Sequence, residues 1–383
     1  MSDERAPRFG YRWTILALLF AATTINYVDR QVLGILAPTL QRTFGWTETD
    51  YAAIVSWFTL TYGIGALIMG RVMDRIGTRR GFSISIVTWS FAAMGHALVS
   101  TVGGFGFMRA LLGLGESGNF PGAVKTVAEW FPQTERALAI GIFNAGSNVG
   151  AVIAPLVVPW ITLTWGWRAA FIFTGGLGLL WLGFWLALYH PPEEHPRLSQ
   201  AEFAYIRADA EPSSEVAGAV PWGRLLRSRQ TWAFVAGKSM TDPVWWFYLF
   251  WLPKFLDAKW HVQLAALAAP LIAVYVAADF GSVAGGWLSS ALIKRGFTVN
   301  RSRKTALLIA ALLIVPTIFA PQVSGMWTAI ALVSVAASAH QGWSANLYTI
   351  VGDMFPRRAV ASVVGIGYAF SAITSVAFQR ATG

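Results

Sequence analysis

Apolar runs of about 20 residues recur from one end of this chain to the other, the length a helix needs to cross a hydrocarbon core. A helix is one of only two ways to carry a backbone through lipid with every N–H and C=O bonded. The runs fall near Trp13–Leu36, Tyr51–Met69, Gly81–Ser100, Phe105–Trp130, Ala137–Ile161, Trp167–Tyr189, Thr231–Leu256, Leu267–Ile293, Thr305–Ala320, Gly325–Val351 and Val360–Gln379. An all-α polytopic membrane protein of eleven spans is expected. Composition agrees: 55% of the 383 residues are hydrophobic and only 13% charged, where a soluble domain carries about 25% charged. The first run is too long for the apolar part of a signal peptide, and Asn26 to Arg30 interrupt it.

The net charge of +10 is explained by where the basic residues lie. Arg5, Arg8 and Arg12, the stretch Arg71 to Arg80, the segment His190 to Gln230, Lys294 to Lys304, and Arg357 with Arg358 all fall on one side of the span pattern. Opposite loops hold little beyond Arg42, Lys254 and Lys259. The positive side of a membrane protein faces the cytoplasm, so a cytoplasmic N-terminus in a bacterial inner membrane is expected, with lipid and not nucleic acid as the large partner. The segment His190 to Gln230 divides the chain into residues 1–190 with six spans, a cytoplasmic loop over 191–229, and 230–383 with five. The even count expected of paired halves would put a twelfth helix after the last run. With no cysteine, disulfides and thiolate metal sites are excluded.

The chain repeats itself. "TVAEWFPQTERALAIG" (Thr126–Gly141) lies on "IVGDMFPRRAVASVVG" (Ile350–Gly365) without a gap, matching Glu129 to Asp353, Phe131-Pro132 to Phe355-Pro356 and Gly141 to Gly365. The fourth and fifth spans thereby correspond to the tenth and eleventh, as in two parallel pseudo-symmetric halves. In that register Glu116 stands opposite His340.

"GRVMDRIGTRR" (Gly70–Arg80) resembles the signature of the major facilitator superfamily, with "NYVDR", "RALLGLGESGNFPG", "EWFPQTERALAIGIFNAGSNVGA" and "AHQGWSANLYTIVGDMFP" narrowing the likeness to its anion:cation symporters of the hexuronate and aldonate kind. The resemblance implies two six-helix bundles, a cavity lined by the first, fourth, seventh and tenth helices, and proton-coupled uptake of a small organic anion by a monomer without a cofactor. It also implies a cytoplasmic latch of Gly70, Asp74, Arg75, Gly77, Arg79 and Arg80, joined by Glu129 and Arg136. In the second half "GWLSSALIKRG" departs from the signature, with Ser290 where the Asp would stand.

A charge at a helix centre costs about 2.5–3.5 kcal/mol on insertion scales, so such residues face a cavity or a partner. Asn26, Asp29 and Arg30 are spaced to share a face of the first span, as are Arg109 and Glu116 on the fourth. Arg30 offers a planar fork matched to a carboxylate. Glu116 is the expected proton carrier, with Arg109 beside it and Asp29 as a second carrier that holds Arg30 until protonated. The structural alternative pairs Asp29 with Arg109 and Arg30 with Glu116 merely to join two helices. On the seventh span Lys238 and Asp242 stand one turn apart before Pro243, and Lys238 is read as a second cation for the solute. His340, Gln341, Trp343 and Asn346, with Tyr27 and Tyr62, complete the expected substrate site. Asp279 is ionisable at mid-span with no partner legible in sequence.

Other classes fit less well. The chain has no nucleophile–His–acid set, no Walker loop and no metal-ligand spacing; "HPPEEHPRLS" lacks the helical register of a zinc site. An anion sensor or a carrier of phosphate or an aromatic carboxylate remain as alternatives.

Overall fold

Short turns at the membrane surfaces decide where each helix stops. Gly45 takes φ 69° to close the first helix, and Thr47 opens the next with a capping box completed by Asp50. Gly77, at φ 86°, reverses the chain in one residue, which a side chain would strain. Thr101 and Thr298 cap two further helices with their hydroxyls. The computed structural model describes residues 10–208, 220–260 and 268–382. Arg5, Arg8 and the start of the eighth predicted span at Leu267 lie outside them.

The helices are α1 (Tyr11–Phe44), α2 (Glu48–Ile76), α3 (Thr78–Gly95), α4 (Val102–Glu116), α5 (Asn119–Trp130), α6 (Gln133–Trp165), α7 (Trp167–Leu188), the short α8 (Gln200–Arg207) and α9 (Trp222–Arg227), then α10 (Arg229–Trp260), α11 (Ala268–Lys294), α12 (Val299–Ile314), α13 (Met326–Met354) and α14 (Arg357–Thr382). No strand occurs among the described residues.

Two predicted spans differ in form. The fourth is not one helix but α4 and α5, separated at Ser117 and Gly118. The Gly115 carbonyl there accepts from the Ser85 hydroxyl of α3, and Gly115 and Gly118 let α3 come too close for a Cβ. The ninth ends as α-helix at Ile314 and continues as a 3-10 turn over Val315–Phe319, where Pro316 has no N–H to give.

By length and composition, α2, α3, α6, α7, α11, α12 with its following turn, and α14 are apolar enough to cross a membrane. The four spans that fall short are α1, the broken α4–α5, α10 and α13. They fall short because they are broken or carry polar and ionisable side chains, and these belong against protein or a cavity.

In the first half α1 packs on α6, α2 on α4, and α3 on α4 and α7; in the second α10 packs on α14, α11 on α13, and α12 on α13. The halves meet along two seams, α6 with α11 and α2 with α14, and through α5 against α13 and α14. The repeat is visible at single atoms. A Cβ on Gly70 would strike the Ala361 carbonyl and one on Gly365 the Ala66 carbonyl; on the other seam Gly286 faces the carbonyl of Ala137 and Gly141 that of Ser282. Ala137 and Gly141 are the residues the sequence repeat matches to Ala361 and Gly365. Four glycines thus let both pairs of helices approach to backbone contact. Trp89, Trp130, Trp185, Phe82, Phe131 and Phe143 are fully buried in the core of the first half.

Candidate functional site

A cavity of about 60 Å³ lies between the halves, lined by Tyr27 of α1, Phe120 of α5, Asn144 and Ser147 of α6, Lys238, Asp242 and Trp245 of α10, His340, Gln341, Ser344 and Tyr348 of α13, and Tyr368 of α14. That volume has room for a few water molecules and not for a sugar-sized solute. Of the eight residues expected to bind substrate, Tyr27, Lys238, His340 and Gln341 line it.

Lys238 is 2% exposed and tightly held. Its Nζ lies 2.7 Å from Asp242 Oδ2, donates to the Tyr348 hydroxyl at 2.7 Å, and sits 3.7 Å from the centre of the Tyr368 ring. Tyr348 in turn donates to the Tyr368 hydroxyl at 2.6 Å. The cation is thereby desolvated but surrounded by one carboxylate, one hydroxyl and two aromatic faces. His340 stacks on Trp245 at 5.5 Å between centroids, its Nε2 2.9 Å from the Thr241 carbonyl, and its Nδ1 has no partner among the described residues.

Arg30 and Tyr62 stand behind this wall. Arg30 Nε donates to Glu116 Oε2 at 2.9 Å and its terminal nitrogen to Asn26 Oδ1 at 3.2 Å. Its guanidinium lies over Tyr27 at 4.5 Å, Tyr62 at 4.9 Å and Phe58 at 5.3 Å. Tyr62 meets Tyr368 edge to face. Arg30 therefore adjoins the cavity through the ring of Tyr27. Glu116 has no exposed side-chain surface, and its Oε1 is unpartnered among the described residues.

Asp29 does not hold Arg30. It is 2% exposed, and neither carboxylate oxygen has a hydrogen-bond partner among the described residues. Three residues of helix advance about 300°, leaving Asp29 about 60° away from Asn26. That rotation separates it from the face Asn26 and Arg30 share. Nor does it pair with Arg109, which instead donates from both terminal nitrogens to the Arg30 carbonyl at 3.3 Å. Trp343 and Asn346 do not line the cavity: Asn346 Nδ2 donates to the carbonyls of Gly285 and Gly342, and the Trp343 Nε1 has no partner among the described residues. Asp279 gains a partner across a seam, accepting from Asn148 Nδ2 at 2.8 Å.

Sequence reasoning missed Tyr348 and Tyr368. Tyr348 had a signal, since Gln341, Ser344 and Tyr348 fall on one face of α13 at helical spacing. Tyr368 had none within its own apolar helix.

At the basic end, Asp74 is 7% exposed and accepts from Lys125 Nζ at 2.8 Å and from the Ser362 N–H of α14 at 2.7 Å. Lys125 Nζ also donates to the Arg357 carbonyl at 3.0 Å. Glu129 accepts from the hydroxyls of Thr78 at 2.9 Å and Tyr189 at 2.8 Å, and lies 3.9 Å from Lys125. Arg136 reaches Asp353 Oδ1 at 3.2 Å and the Gly352 carbonyl at 2.9 Å. Arg303 binds the other oxygen of Asp353 at 2.9 Å. Arg79 donates to the Leu186 carbonyl at 2.6 Å, while Arg75, Gly77 and Arg80 are exposed. Gly70 is one of the seam glycines. The second half lacks the signature Asp, and the Ser290 hydroxyl has no hydrogen-bond partner among the described residues; there Asp353 grips one Arg from each half, and Lys294 lies 3.7 Å from Glu135 across the same seam. Lys125, Asp353 and Arg303 were not expected in this cluster.

Residues 19–378 match the family described as Major Facilitator Superfamily. The chain is 31% identical over 382 residues to the hexuronate transporter of Escherichia coli K12, covering 98% of this chain and 87% of that protein. It is 31% identical over 311 residues to the galacturonate transporter of Dickeya chrysanthemi, covering 80% and 90%. In fold it is similar to the proton:xylose symporter XylE, with a TM-score of 0.76 at 15% identity, covering 97% of this chain and 88% of that one. The glycine-lined seams, the four polar spans and these likenesses converge: the chain is a member of the major facilitator superfamily, of its hexuronate- and aldonate-transporter-like kind, and not an enzyme.

Proposed function

We propose that this protein is a proton-coupled symporter that takes a sugar-acid anion, a hexuronate or aldonate, across the bacterial inner membrane by alternating access. Its curated relatives are named for hexuronate and galacturonate transport. The observation that carries the reading is the Arg30–Glu116 pair at 2.9 Å, buried between spans beside a cavity wall. A buried ion pair is a poor way to stabilise a protein, because desolvation offsets most of the Coulomb gain. Its use is as a switch. Protonating Glu116 frees the guanidinium to turn toward a solute carboxylate, and Lys238 supplies a second cation on the opposite wall. Solute charge and proton charge then cross together.

The basic end, cytoplasmic by its charge, is held by the Asp74–Lys125 and Arg136–Asp353–Arg303 links. In this reading they keep the halves closed on that side until the loaded cavity favours the opposite tilt. A monomer contains the whole apparatus.

The test is uptake of labelled D-glucuronate into proteoliposomes under an inward proton gradient, with D-galactonate, phthalate and phosphate as competitors. The wild type accumulates glucuronate and is competed by galactonate. Glu116→Gln keeps exchange but loses gradient-driven accumulation. Full accumulation by that variant contradicts the assignment of Glu116, and competition by phosphate or phthalate alone contradicts the substrate class.

A further inference from the structure

Which face a buried carboxamide presents to a cavity decides what a solute must offer it. Gln341 is 5% exposed and lines the cavity, and its orientation is determined from some distance away. The chain of contacts begins at a backbone carbonyl. Ser282 Oγ lies 3.0 Å from the Gly141 oxygen. A carbonyl only accepts, so the Ser282 hydroxyl proton points there, and Ser282 offers a lone pair elsewhere.

Asn144 Nδ2, 3.0 Å from Ser282 Oγ, must therefore be the amide nitrogen and not the oxygen. The same nitrogen lies 2.9 Å from Gln341, which must turn its Oε1 to it. Gln341 Nε2 is left for the cavity. Gly141 and Asn144 belong to α6, Ser282 to α11 and Gln341 to α13, so the relay crosses between the halves three times. Ser282 has no exposed surface and Asn144 is 3% exposed, so these bonds are shielded from bulk water.

The other seam has no such relay among the described residues. The backbone approach of Gly141 to Ser282 is matched there by that of Gly365 to Ala66, and alanine has no hydroxyl to give. Packing alone thus requires neither the serine nor the asparagine.

We infer that Gly141, Ser282 and Asn144 are positioning residues that fix Gln341 as a hydrogen-bond donor toward an acceptor oxygen of the transported anion. The inference rests on the transport reading above and deepens it: the donor is set only while α6, α11 and α13 are together. A solute thereby senses from the cavity whether this seam is closed.

The experiment is counterflow of labelled D-glucuronate in proteoliposomes of the full chain, with KM and Vmax resolved, and a thermal melt on each variant to establish folding. Gln341→Glu keeps the shape but presents acceptors only when ionised, and its KM rises by about tenfold or more. Ser282→Ala frees Asn144 to rotate and raises KM roughly threefold to fivefold with Vmax within about twofold. In a Gln341→Leu background Ser282→Ala has no further effect on KM, because the group it orients is gone. An unchanged KM in Ser282→Ala, or an equal rise in both backgrounds, overturns the relay while the wild type still transports. A wild type that exchanges neither D-glucuronate nor D-galactonate overturns the transport reading itself and this inference with it.

Discussion

Arg30 and Asp29 are neighbours in sequence, yet only Arg30 reaches the wall of the cavity. Both are ionisable side chains within an apolar span, and one residue of helix rotation decided which of them meets Glu116 and Tyr27. Sequence spacing alone does not resolve a 60° offset, because i and i+3 lie on one broad face. Lys238 and Asp242 were legible because a one-turn pair of opposite charge in an apolar helix has few other uses. Removing one partner leaves the other charge buried and alone, which costs about 3–5 kcal/mol. Lys238→Met is therefore expected to lower the melting temperature and the yield, and Lys238→Met/Asp242→Asn to restore both without restoring glucuronate uptake. Recovery of uptake in the double variant would rule out Lys238 as a cation for the solute.

At the scale of elements, the latch shows what a motif can and cannot reveal. "GRVMDRIGTRR" located Asp74, but its partner Lys125 sits in "GAVKTVAEW", where nothing nearby in sequence marks it. The ion pair joins α2 to α5, and the Ser362 N–H ties both to α14. Lys125→Met breaks that junction and is expected to favour opening at the basic end. The chain has no cysteine, so a lone Ser344→Cys in the cavity reports cleanly: an impermeant thiol reagent applied from the basic side labels it faster in the Lys125→Met background. Equal rates in both would show that the pair does not hold this end shut.

The segment between the halves is expected to respond to pH on its own. His195 packs on Tyr11 and Trp130, its Nδ1 accepts from the Arg197 N–H at 3.2 Å, and its Nε2 faces the Leu188 carbonyl at 3.1 Å. That leaves the ring neutral, and burial lowers its pKa from the ordinary 6.5. A depressed value means the released segment takes up a proton that the docked one refuses. Docking is therefore strongest above about pH 6.5 and is lost as pH falls toward the depressed value. A spin label at Ala201→Cys in α8 should gain mobility between about pH 7.5 and 5.5, and His195→Phe should abolish that dependence.

For the whole molecule, the all-helical membrane fold and the two-fold repeat were legible because lipid imposes length and apolarity on every crossing. The seams were not, since glycines that touch across them are far apart in sequence and gain meaning only once the repeat is folded. Gly286 lies against the Ala137 carbonyl, whereas Gly176 faces open space. Gly286→Leu should accordingly cost on the order of 1–3 kcal/mol or more in stability, and Gly176→Ala should be tolerated in the same thermal melt. A tolerant Gly286 would mean the seam is looser than its backbone contacts indicate.

A fixed cation beside a cavity shared by the two halves is the centre of the proposed transport. It is tested most directly by proton-driven accumulation of labelled D-glucuronate in the wild type, in Arg30→Ala, and in Arg30→Ala/Glu116→Gln, where Glu116 is not left as a buried charge without its partner. The wild type should concentrate the anion, and the double variant should fold normally yet fail to concentrate or exchange it. Undiminished uptake by the double variant, or none by the wild type with any sugar acid, would contradict it.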